Sequence, residues 1–276
     1  MYQRLVESTG RPFTLFVTIK TEGKKTFRVI AADNGKKNSK YADRVIDVEG
    51  ERHIFLSFPI SPKSLVLAIG NIKDRSDSKF TVQVEEGKLN QDNFWLDNET
   101  RSFVQMAIIF SQICGFTTPP QVYKSSDDLY TIKFFDVIRD QQTNMPMTTP
   151  ARIGHSTGNI EVSKKCFDKY TIPMRMIILL HEFSHKFRNP KMGLAIEDET
   201  GADINALYIY LSMGFSKIDA IYVFANVFLK AQTQQNIKRM RDIMNYINNF
   251  EEKKRVSKPQ NSEEKQKVNE TNNVTL

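Results

Sequence analysis

Cysteine and tryptophan are scarce in this chain, and long hydrophobic runs are missing from it. Its 276 residues include two cysteines, Cys114 and Cys166, and one tryptophan. The two cysteines lie far apart in apolar surroundings, so they form neither a metal-binding Cys pair nor a disulfide framework. We therefore expect two free, buried thiols in a protein of a reducing compartment.

The apolar runs are also too short for a membrane helix. The longest, at 106–110 and 176–180, fall well below the ~20 residues that a spanning helix needs. The first seven residues lack the basic start and apolar core of a signal peptide. We expect a cytoplasmic protein without a membrane segment, or a virion component if the chain is phage-encoded.

Charge is plentiful but mixed in sign. The formal net charge is +7 and the pI is about 9.2, yet the lysines and arginines are mostly interleaved with Asp and Glu. Aromatic and basic residues do not alternate as they do on nucleic-acid-binding surfaces. The basic residues are therefore interpreted as solvated surface, and no direct nucleic-acid partner is expected.

The first 90 residues predict a small antiparallel β-sandwich. Short runs of β-forming residues recur between Gly, Asn, Asp and Pro, with little helical periodicity between them. The clearest runs are 13–19, 26–30, 53–58, 64–69 and 80–84. Such a domain is expected to be an accessory unit, which could bind a protein assembly.

Residues 91–250 predict a second domain with a small sheet and a mostly helical C-terminal half. Helical periodicity covers about 100–113, 171–188, 197–213, 217–231 and 235–250, and strand patterns cover 129–138 and 158–163. Residues 251–276 are charged and almost free of apolar side chains, which predicts a disordered tail. The expected fold class is α+β.

A five-residue motif, His181-Glu182-Phe183-Ser184-His185, lies in the 171–188 helix. Two histidines four positions apart project from one face of a helix, about one turn from each other, and this separation suits two nitrogen ligands of one zinc ion. The same five-residue pattern also occurs by chance, as two core histidines and a glutamate that bind no metal. The motif alone does not decide between these interpretations.

A third candidate ligand follows fourteen residues after His185. Glu199 and Asp203 are one turn apart on the next predicted helix, on a stripe with Ala202, Ala206 and other apolar residues. Three protein ligands would leave a fourth zinc position open for water, as in catalytic sites. A solvated acidic surface explains Glu199 equally well, but it does not explain Asp203 on an apolar stripe.

These two motifs resemble the gluzincin branch of the zincin metallopeptidases, in which an H-E-x-x-H helix precedes a helix with E-x-x-x-D. The spacing is most similar to small members such as the ImmA/IrrE-like peptidases. The resemblance covers about 129–210 and implies a Zn²⁺ cofactor held by His181, His185 and Glu199. It further implies Glu182 as general base and Asp203 as a partner that orients a histidine. A protein or peptide would be the substrate.

The sequence leaves open both the oxyanion stabiliser and the function. No residue is clearly placed to stabilise an oxyanion, although His155 and Tyr210 are candidates, each with a simpler explanation as a loop residue and a packing residue. The leading hypothesis is an active zinc peptidase. The alternatives are a structural or assembly protein, for example of a phage particle, whose zinc site has little catalytic use, and a regulator that acts by cleaving a repressor.

Overall fold

The N-terminal part of the chain forms an antiparallel sheet built around two long strands. The computed structural model describes residues 1–8, 10–36, 38–73, 79–89, 96–154, 156–187, 199–229, 231, 233–250 and 256–257. Its first strands are β1 (Tyr2–Glu7), β2 (Phe13–Asp33), β3 (Lys40–Phe58), β4 (Ser64–Asn71) and β5 (Phe80–Leu89). One edge of β2 pairs with β3, and its other edge pairs first with β5 and then with β4, which carries β1.

The prediction of separate short strands is wrong, because two of them join into one long strand of a single sheet. The two predicted strands 13–19 and 26–30 are parts of β2. Between Thr21 and Lys24 the pairing with β3 shifts register, and Gly23 in this bulge has φ +70°. A bulge with a left-handed glycine bends a strand without ending its pairing. Gly50, opposite Thr21 on β3, also has a positive φ.

The second part of the chain is mixed helix and strand, so the architecture is α+β. Its elements are α1 (Asn98–Ile113), β6 (Gln121–Lys124), β7 (Thr131–Phe135), β8 (Ala151–Ile153), β9 (Asn159–Ser163), α2 (Lys164–Phe167), α3 (Ile172–Ser184), α4 (Glu199–Ser212), α5 (Lys217–Val223), a π-helical turn (Phe224–Phe228), α6 (Gln234–Asn249) and β10 (Val256–Ser257). β10 pairs with β5 of the first sheet, and the rest of the predicted disordered tail lies outside the described residues.

The small sheet has the order β6-β7-β9-β8, with β7 and β9 parallel and the other pairs antiparallel. The sequence pattern at 158–163 predicts a strand whose free edge could pair with an extended peptide substrate. This expectation is wrong, because β9 is paired on both sides. In the described part of the chain the sheet ends with β8, which also contacts α3.

The two parts share one apolar core and several polar contacts. The Arg44 guanidinium on β3 donates to the Asp219 carboxylate and the Ser216 hydroxyl of α5, both at 3.0 Å. Gln112 on α1 donates to the Tyr41 hydroxyl at 3.1 Å. Ser216, with Asp219 three residues later, has the sequence pattern of a capping box for α5. Ser216 does cap α5, but Arg44 binds Asp219 instead.

None of the helices in the described part of the chain combines the length and apolar character that crossing a bilayer requires. The two cysteines are free thiols, with Cys114 buried and Cys166 half-buried. The expectation of two buried thiols therefore holds for Cys114 only.

Candidate metal centre

Helix α3 is an interior helix, and its burial fixes the two motif histidines. All thirteen of its residues are buried, as expected for a helix that is apolar on every side. At its N-terminal end Arg175 has no exposed surface and donates to three main-chain carbonyls, those of Phe167, Asp168 and Ser111. These bonds join the start of α3 to the ends of α2 and α1.

The helix is shorter than the sequence predicts, because it ends at Ser184 and not near Arg188. His185 is the C-cap residue, but its backbone remains right-handed helical, with φ −72° and ψ −20°. His181 and His185 therefore still project from one face. Their rings meet edge to face, with centroids 4.6 Å apart.

Helix α4 is held against α3 by a buried polar contact. The Asn205 side-chain amide of α4 donates to the Ser184 hydroxyl at 2.9 Å, and this hydroxyl donates to the Leu180 carbonyl at 2.7 Å. With α4 fixed in this way, Glu199 and Asp203, one turn apart, both face His181.

Three side chains converge as potential metal ligands: His181, His185 and Glu199. The two Nε2 atoms lie 3.1 Å apart, and each lies 3.6 Å from an oxygen of the Glu199 carboxylate. Tetrahedral zinc with bonds of about 2.0–2.1 Å would separate its ligand atoms by about 3.4 Å. The residues present therefore fit a zinc ion in both donor type and spacing.

Asp203 sets the orientation of His181. Its Oδ1 atom lies 3.0 Å from His181 Nδ1, and neither atom has another polar partner among the described residues. Burial lowers the pKa of His181, but contact with the Asp203 carboxylate and the charges of Glu182 and Glu199 outweigh it and raise that pKa. A proton held at Nδ1 leaves the Nε2 lone pair directed at the metal position.

Two residues of this site were missed by sequence reasoning. Arg239 of α6 donates to the Asp203 carboxylate at 2.8 and 2.9 Å and to Glu199 Oε2 at 3.1 Å. Phe228, from the π-helical turn, packs on the His181 ring with centroids 4.2 Å apart. The sequence does indicate that Arg239 is buried, because Arg239 shares one stripe of α6 with Ile243 and Ile247 at intervals of four residues.

Four of the five motif residues at this centre are buried, and Glu199 is partly accessible. His181, Glu182, His185 and Asp203 are each exposed by 9% or less, whereas 46% of the Glu199 side chain is accessible. Among the described residues, Glu199 is therefore the accessible member of the three-residue cluster.

The structure does not bring Tyr210, one of the two candidate oxyanion donors, into the site. Tyr210 lies eleven residues beyond Glu199 on the same helix, a rise of about 16 Å. Its ring stacks on Phe215, and its pKa is raised by burial and by the charge of Asp219, which belongs to the junction with the first sheet. His155 lies outside the described residues.

Neither a protein-family model nor a curated protein sequence matches this chain.

Proposed function

We propose that the protein is a zinc-dependent metallopeptidase of the gluzincin type. The observation that carries this proposal is the convergence of two imidazole nitrogens and one carboxylate, from two helices, at the spacing of a tetrahedral ligand set. Zinc bound there would supply a Lewis acid for the scissile carbonyl and would lower the pKa of water.

Glu182 is the general base of this proposal. It follows His181 directly in α3, is nearly buried, and is close enough for its charge to raise the pKa of His181. In peptide hydrolysis it accepts a proton from the attacking water and passes it to the leaving amine. Asp203 and Arg239 keep His181 and Glu199 in position during these steps.

In this proposal the peptide substrate binds along the outer edge of β8. This strand ends the small sheet and contacts α3, so an extended peptide that pairs with its outer edge would lie beside the helix that carries the histidines. Because main-chain pairing recognises any extended peptide, β8 would provide affinity with little sequence preference.

The test is proteolysis of a fluorescent casein by the zinc-loaded protein and by Glu182→Gln. We expect at least a ~100-fold loss of rate, since a general base contributes about that much, with zinc content unchanged. Glu22→Gln, an exposed glutamate in the β2 bulge, is the matched control and should keep full activity. Equal rates for the wild type and Glu182→Gln would refute the proposed catalytic role.

One observation favours a second proposal, a structural or assembly protein with a non-catalytic centre. The Arg239–Glu199 ion pair already neutralises the third ligand, so the cluster could be satisfied without a metal. In that case the purified protein would bind no zinc after reconstitution, and Glu199→Ala would change its stability but not its metal content.

A further inference from the structure

A second feature of the molecule lies at the junction of its two parts. A groove of about 1590 Å³ runs between β2, β3 and β4 on one side and the start of α3 with α5 on the other. Small-molecule pockets usually enclose about 300–1,000 Å³, so this groove is large enough for a peptide segment.

The groove collects exposed apolar side chains. Val45 on β3 is 59% exposed, and Ile218 and Tyr222 on α5 are 60% and 50% exposed. Ile218 and Tyr222 are one turn apart, so they present one face of α5 toward the groove. Met1 and Ile72 add two further exposed apolar side chains to its lining. Exposed apolar side chains gathered in one place mark interaction sites.

The charges around the groove are mostly positive. Among the described residues, its lining includes six cationic residues, Arg28, Lys40, Arg44, Arg52, Lys169 and Lys217, but only two carboxylates. Both carboxylates are already bound, because Asp43 pairs with Arg28 and Lys40, and Asp219 pairs with Arg44. Arg52 and Lys169 are exposed and, within the described ranges, have no carboxylate at ion-pair distance.

We propose that this groove binds an acidic peptide segment of another protein, with apolar side chains on the groove floor and carboxylates at Arg52 and Lys169. Charge complementarity argues for an acidic partner, and the net charge of +7 argues against a second copy of this chain. The concave shape argues for a chain segment over a planar lipid surface.

The groove and the metal centre share α3 but are separate sites. Met174 lines the groove, and His181 follows seven residues later, a rise of about 10 Å. A partner held in the groove could therefore extend toward the metal centre. Binding in the groove itself does not depend on the proposed peptidase activity.

The experiment measures fluorescence anisotropy of the full chain with a labelled peptide of about twelve residues, made of alternating Asp or Glu and Leu or Phe. Its control peptide has Lys in place of each acid. We expect binding of the acidic peptide only, weakening as salt rises from about 50 to 300 mM.

Two pairs of substitutions locate the binding. Arg52→Glu with Lys169→Glu should weaken the Kd roughly tenfold or more. Lys24→Glu with Lys63→Glu makes the same charge change at exposed positions outside the groove lining and should leave the Kd within about twofold. Val45→Ser with Ile218→Ser should also weaken binding, and both positions are exposed enough for the fold to tolerate serine.

Several results would overturn the proposal: equal binding of the basic peptide, equal effects of the two charge-reversal pairs, or tighter binding to anionic vesicles or to a single-stranded oligonucleotide than to the acidic peptide. Glu199→Ala should bind the peptide as well as the wild type does. Weaker binding by that variant would place the peptide at the metal centre and contradict a separate groove site.

Discussion

Asp203 is a fully buried carboxylate, and each of its two oxygens lies close to one charged or titratable neighbour. Oδ1 lies against His181 and Oδ2 against Arg239. A buried charge without a partner is destabilising by several kcal/mol, so the Arg239 guanidinium stabilises this buried carboxylate. Because Arg239 also contacts Glu199, one guanidinium positions both acidic residues of the site.

Arg239→Met should lower zinc affinity about 10–100-fold, as loss of groups that orient metal ligands usually does. Removal of a positive charge would by itself favour a cation, so a lower affinity identifies positioning as the main effect. Titration with a zinc-chelating dye measures the Kd. Arg241→Met, an exposed arginine of the same helix, is the control and should bind zinc normally. Unchanged or tighter binding by Arg239→Met would contradict this role.

At the scale of residues, periodicity predicted His181, His185, Glu199 and Asp203, because their relations are local to two helices. Arg239 follows Asp203 by 36 residues, and its contact depends on how α6 packs against α4. The position of Asp203 on an apolar stripe indicated that this carboxylate needs a buried partner. The periodicity of one helix could not identify Arg239 as that partner.

Gly158 lies just before β9, where there is no room for a side chain between β7 and β9 of the small sheet. Gly158 has φ +68°, and a Cβ at this position would lie 2.3 Å from the Leu129 carbonyl oxygen and 3.0 Å from Lys186 Nζ. Its own carbonyl accepts a hydrogen bond from Thr131 at the start of β7. A side chain there would separate the two parallel strands β7 and β9.

Gly158→Ala should destabilise the protein by about 1–2 kcal/mol from the positive φ and by about 1–3 kcal/mol more from the clash. Gly23→Ala is the matched control, because Gly23 also has a positive φ but a Cβ there meets nothing within 4 Å. Urea unfolding measures both variants. Equal losses of unfolding free energy in the two variants would show that the close approach to the Leu129 carbonyl does not destabilise Gly158→Ala.

Among the helices and strands, some were predicted correctly from the sequence and others were missed. The predicted helix at 100–113 is confirmed as α1, because its apolar stripe is regular and Asp97 caps its start. The helix predicted to run to residue 231 continues after Val223 as a π-helical turn, and that turn places Phe228 on His181. Strands β1, β6 and β8, and the first half of β3, were missed because their sequences are mostly polar or short.

For the whole molecule, the junction between the first sheet and the helical part contains buried polar groups. Tyr41 of β3 is 4% exposed and accepts a hydrogen bond from Gln112 of α1. Burial is the main cause that raises its pKa from the usual 10 to about 12, and a hydrogen bond from Gln112 lowers it only in part. This contact joins residues 71 positions apart, so no local sequence pattern indicates it.

Because the pKa of Tyr41 is raised in the folded protein, we expect this residue to lower the free energy of unfolding at alkaline pH. Below pH 10 Tyr41 is protonated in both the folded and the unfolded chain. Between pH 10 and about 12 the unfolded chain loses this proton first, so the free energy of unfolding falls by roughly 2–3 kcal/mol. Tyr41→Phe should lose less stability than the wild type over this range in urea unfolding. Parallel losses in the two proteins would rule out Tyr41 as a source.

The central claim is that His181, His185 and Glu199 form a zinc site, and elemental analysis of the purified, zinc-reconstituted protein tests it most directly. We expect about one zinc per chain in the wild type and in Glu182→Gln, and little or none in His181→Ala or Glu199→Ala. A wild type that binds no zinc, or a Glu199→Ala protein that keeps all of it, would contradict the account.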